Sequence, residues 1–125
     1  VNQLALLVYF EEVFQIFYLQ INQRSCVMAI AVRHIFEPTD DGVFDPEEHR
    51  RLANDFPAGK LPGVRSVTVY RNIDQQIMVG EAILENEATL KTWEDWNNSP
   101  EGQEWGQKFM KTGNFVKRVI FEIVE

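Results

Sequence analysis

Residues Ala29 to Phe36 read AIAVRHIF, a short β-branched run that is apolar at both odd and even positions. Successive strand side chains point to opposite faces, so one face would show Ile30, Val32, His34 and Phe36 and the other Ala29, Ala31, Arg33 and Ile35. Such a strand lies inside a sheet and needs cover on both sides. The chain must therefore supply one layer for each face, from itself or from a partner.

The rest of the sequence offers material for one layer. EPTDDG breaks the first strand, and DPEEHRRLANDF opens with Asp45 as N-cap, Pro46 at the first helical position and Glu48 three residues after the cap. Leu52, Ala53 and Phe56 form its apolar stripe. PAGKLPG ends the helix. VRSVTVYRN (Val64 to Asn72) and QIMVGEAIL (Gln76 to Leu84) are β-rich runs joined by IDQ, a hairpin pattern. Asn86 can cap the next helical stretch, and Ser99-Pro100-Glu101 restarts it after a break near Asn97 to Pro100. Gly113 stops the second piece, and FVKRVIFEIV (Phe115 to Val124) is the last strand. The order is βαββαβ, the α+β ferredoxin-like pattern, with a four-stranded antiparallel sheet and the helices on one face. The second apolar face then calls for a partner, and a homodimer with sheets face to face is the simplest solution.

A chain of 125 residues suits one domain, and 45% apolar with 25% charged residues is ordinary globular composition. The net charge of −7 and the lack of a basic run argue against nucleic acid; Lys108, Lys111, Lys117 and Arg118 are spread among acids and read as a solvated face. Cys26 is the single cysteine, so neither an intrachain disulfide nor a cysteine zinc site can form. A reducing, cytoplasmic setting is the expectation.

Residues 1–27 differ in composition from the rest of the chain, with 17 apolar residues in 27. They lack the basic start and small-residue cleavage site of a signal peptide. Glu11 and Glu12 interrupt the run and count against a membrane span. An amphipathic partner-binding helix is one reading of this segment. The reading that fits better is a translated leader or non-native extension. Gln23-Arg24-Ser25 can be encoded as CAG-AGG-AGT, a purine-rich bacterial ribosome-binding sequence placed before Met28. Residues 28–125 are then the domain.

Over residues 28–125 the chain resembles the dimeric α/β-barrel superfamily, which includes antibiotic biosynthesis monooxygenase-like, stress-responsive barrel and EthD-like proteins. VRHI on the first strand, LPGVRSVTVYRN entering the second and ILENEATLKTWEDWNNSPEGQEW through the second helical region carry the resemblance. It implies a pocket between sheet and helices in each protomer, a dimer through the open sheet faces, and His34 at the position of a first-strand pocket histidine. Cyclase-like members carry a second histidine in a His-Pro motif; the corresponding NNSPEG has none, which argues against a two-histidine cyclase mechanism.

His34 is the first candidate catalytic residue, because histidine titrates near neutral pH; its bland alternative is a packed core histidine. His49, one turn before Leu52, reads as a partly exposed surface residue. Trp93, Trp96, Trp105, Phe109 and Phe56 are either core or an aromatic wall for a flat ligand, standing opposite the small residues Gly80 and Ala82. Tyr70 could add a hydroxyl to that pocket. Arg33 and Glu81 have the opposite parity and are expected as an ion pair on the dimer face, unless buried charge marks the pocket and the faces swap. No metal-ligand spacing, phosphate loop or nucleophile-base pattern is present, and no cofactor or metal is expected. Three functions remain: a cofactor-independent monooxygenase acting on a phenolic or quinol-like compound, a non-catalytic ligand-binding or stress-response barrel, and an interaction module.

Overall fold

The computed structural model describes residues 28–124. The leader expected over residues 1–27 lies outside the described residues.

Each element begins where local chemistry starts it. β1 spans Ile30–Glu37 and is followed by helix α1, Pro46–Asp55. The Asp45 carboxylate accepts from the Glu48 amide at 3.1 Å, with Pro46 in the first turn. The reciprocal half of the expected capping box does not form. The Glu48 carboxylate pairs with Arg51, and the Asp45 amide donates to the Thr112 carbonyl at 2.9 Å. A one-turn 3-10 segment, Pro57–Lys60, leads to β2 (Val64–Arg71) and β3 (Met78–Leu84). The loop joining them is wider than the three residues expected, because the Asn72 side chain accepts from the amides of Gln76 and Ile77 and holds both out of the strand.

Helices α2 (Glu87–Asn97) and α3 (Pro100–Met110) come next, capped by Asn86 and Ser99, and β4 is Asn114–Glu122. The break expected between the two helical pieces is present. A Cβ on Gly102 would collide with the Trp96 carbonyl, so glycine there lets α3 start tightly against the end of α2.

The strands form one antiparallel sheet in the order β2-β3-β1-β4, the ferredoxin-like arrangement. Ile30 and Val32 of β1 meet Ala82 and Leu84 of β3, and together with Phe56, Ala58 and Trp93 they make the core under the helices. The opposite face carries Arg33, Ile35, Val79, Glu81, Ile83, Val119 and Phe121 and has no layer of its own chain over it among the described residues. Among those residues no helix is long and apolar enough to cross a membrane.

Candidate functional site

Between the sheet and the helices lies a cavity of about 460 Å³, within the usual range of roughly 300–1,000 Å³ for small-molecule sites. The packing that opens it begins at Gly80, which pairs with His34 across β1 and β3. A Cβ on Gly80 would stand 3.3 Å from His49 Nε2. The missing side chain thus leaves a slot into which His49 descends from α1.

Strand parity places His34 on the helix side with Val32 and Phe36, and it lines the cavity. His49, expected at the surface, is 3% exposed and lines the same cavity. Its position on α1 explains the correction: His49, Leu52, Ala53 and Phe56 have i, i+3, i+4, i+7 spacing and form one buried stripe. The ring sits between Phe36 (4.7 Å between centroids) and Phe109 (4.8 Å). Its Nδ1 lies 2.9 Å from Thr112 Oγ1.

Both histidines are held neutral at ordinary pH. Burial pushes His34 down to about 4, helped by the positive charge of Arg118 opposite it on β4. Burial likewise pushes His49 down to about 4, with His34 as the second cause. Arg118, read from sequence as part of a solvated face, lines the cavity and is tied to Glu94 of α2 at 3.0 Å.

The expected ligand contacts divide. Phe56, Trp93 and Phe109 line the cavity. Trp93 is 3% exposed, and its Nε1–H is buried with no hydrogen-bond partner among the described residues. Trp96 and Trp105 pack on Phe56 at 5.2 and 5.7 Å and do not line the cavity. Helical spacing put them near the core without saying which ring reaches the open space. Tyr70 is corrected more sharply: it stands on the opposite face, half-exposed, and donates to Glu81 at 3.1 Å. There it joins the Arg33–Glu81 ion pair (2.8 Å), which forms on the open face as expected. No group of three or more potential metal ligands gathers among the described residues.

No protein-family model matches the sequence, and no curated protein matches it. Solved structures do match in fold. SnoaB, a cofactor-independent oxygenase from Streptomyces nogalater, superposes with a TM-score of 0.60 at 13% identity, over 78% of this chain and 95% of that one. A monooxygenase of Streptomyces coelicolor, ActVA-Orf6, solved with nanaomycin D, gives a TM-score of 0.55 at 18% identity over 79% and 89%. A possible oxidoreductase of Bacteroides thetaiotaomicron gives 0.57 at 11% identity over 78% and 99%. The chain thus has the ferredoxin-like α+β fold of the antibiotic biosynthesis monooxygenase-like proteins.

Proposed function

We propose that the chain binds a small, flat, oxygen-bearing aromatic compound, phenolic or quinol-like, in the cavity between sheet and helices. The observation that carries this reading is the Nε1–H of Trp93, a donor buried without a partner among the described residues, on a side chain that lines the cavity together with Phe36, Phe56, Phe109 and Phe115. Leaving such a group unsatisfied costs about 1–3 kcal/mol. A ligand oxygen would recover it, while Phe56 and Phe109 cover the ring system.

The reaction proposed is cofactor-independent monooxygenation, a reading supported by the likeness to SnoaB, named a cofactor-independent oxygenase, and to ActVA-Orf6, named a monooxygenase. In this reading neutral His34 takes a proton from the bound compound, and Arg118 offsets the negative charge left behind. The dry pocket then favours attack of the carbanion on dioxygen. One oxygen atom ends as a ring carbonyl, the other leaves as water, and the substrate supplies the four electrons.

A second reading, a ligand-binding barrel without catalysis, is favoured by one observation: histidines held near pKa 4 are weak bases. Oxygen uptake with anthrone and 1,4-dihydroxynaphthalene separates the two. Turnover above the spontaneous rate that falls at least tenfold in His34→Ala supports catalysis. Binding without turnover leaves the second reading.

The working unit we propose is a homodimer closed over the open sheet face, in a cytoplasmic setting. Ile35, Val79, Ile83 and Phe121 are its apolar contribution, and Phe121 is 43% exposed in the single chain. Sedimentation should give a dimer for the parent and a folded monomer for Ile35→Glu; a monomeric parent would remove the dimer.

A further inference from the structure

His49 carries a hydrogen-bonding arrangement that the proposed function does not use. Thr112, 2% exposed, has one hydroxyl proton, and its Oγ1 lies 2.7 Å from the Phe109 carbonyl, which can only accept. If that proton turned toward His49 instead, two oxygen lone pairs would face each other at 2.7 Å. The proton therefore goes to Phe109, and Thr112 Oγ1 accepts from His49 Nδ1–H at 2.9 Å. A neutral imidazole with its proton on Nδ1 has a bare Nε2, and this atom projects over Gly80 at the cavity floor with no protein partner among the described residues.

Three further observations fix that acceptor in place. The ring is wedged between Phe36 and Phe109. Thr112 is anchored in turn, since its carbonyl accepts from the Asp45 amide at the start of α1, the helix that bears His49. The titratable and charged residues around the cavity are His34 on β1, Arg118 on β4 and Glu81 on β3; the Glu81 carboxylate is taken up by Arg33 and Tyr70 on the opposite face, so none places a free negative charge against the ring.

From this geometry we propose that His49 Nε2 is the acceptor for a ligand hydroxyl, and that Thr112 is the positioning residue that keeps it unprotonated. The cavity then selects compounds that present an O–H donor at the Gly80 end, and it rejects ethers and unsubstituted rings of the same shape. The inference rests on the proposed ligand class and gives that ligand a required group.

Two probes of nearly equal shape test it: 1-naphthol, which donates, and 1-methoxynaphthalene, which cannot. The parent should bind 1-naphthol about tenfold more tightly, the worth of one net hydrogen bond. His49→Phe should bind both alike. Thr112→Val should lose most of the preference, and Thr112→Ser should restore it. Imidazole nitrogen NMR of the parent should show His49 protonated at Nδ1 and bare at Nε2, a readout that does not depend on the variants folding. Equal binding of both probes by the parent, a preference that survives in His49→Phe, or an Nε2-protonated ring would overturn the assignment while leaving the ligand reading in place. Failure of the parent to bind either probe would bring down the ligand reading and this inference with it.

Discussion

On the helix side of the sheet, His34 and His49 are neutral and face a cavity; on the other side, Arg33, Glu81 and Tyr70 bond to one another. The two sets are interleaved on the same strands, since Arg33 and His34 are adjacent and pair with Glu81 and Gly80. What separates them is completeness. Glu81 receives Arg33 and Tyr70, so the open-face cluster has satisfied itself. Among the described residues, the helix-side groups leave over a bare imidazole nitrogen and a buried indole N–H. Polar capacity that the protein does not use internally is what a ligand can use, and it lies on one face.

The comparison breaks most visibly if the helix side is emptied. Trp93→Ala removes a large side chain from the centre of the core and should destabilise the fold by about 3–5 kcal/mol in denaturant titration. Tyr70→Ala on the open face should cost far less, because its ring is half-exposed.

Next in size is an effect of pH. The folded-state pKa of each histidine is depressed from 6.5 to about 4, so the unfolded chain takes up protons first as pH falls. Stability present above about pH 6.5 should decline as pH drops toward 4, by at most roughly 3 kcal/mol per histidine. His34→Gln should flatten the decline. A profile unchanged by that substitution would contradict the burial of His34 as a neutral group.

Glu81→Gln should have the smallest effect. Arg33 is close to half-exposed and Tyr70 can donate to an amide oxygen, so a loss of about 1 kcal/mol is expected, and less at high salt. Denaturation at two salt concentrations checks it. A loss as large as that of Trp93→Ala would mean that the open face holds the fold together.

Much of this arrangement is legible in the sequence. The double-sided apolar pattern of AIAVRHIF, the Asp45, Asn86 and Ser99 caps and the break before Pro100 set the element order and the fold. The parity of β1 separates His34 from Arg33, and the assembled fold then shows that His34 takes the helix side. His49 is legible but easily overlooked: it lies on the stripe of Leu52, Ala53 and Phe56, while the charges of PEEHRR around it give it a surface look. Tyr70 is legible as well, since Val67 and Val69 alternate with Thr68 and Tyr70 along β2, which sends the valines to the helix side and the tyrosine to the open face. Thr112 has no sequence signal, because its partner His49 is 63 residues away and only the assembled fold brings them together.

The three tryptophans allow a direct test of the claim that the helix-side cavity is the site. Their indole N–H signals can be followed by NMR during addition of 1-naphthol, with Trp93→Phe to assign the one that matters. The Trp93 signal should move as its proton finds an acceptor, while those of Trp96 and Trp105, which do not line the cavity, stay nearly fixed. A titration that leaves the Trp93 signal still, or moves Trp96 or Trp105 instead, would contradict the account.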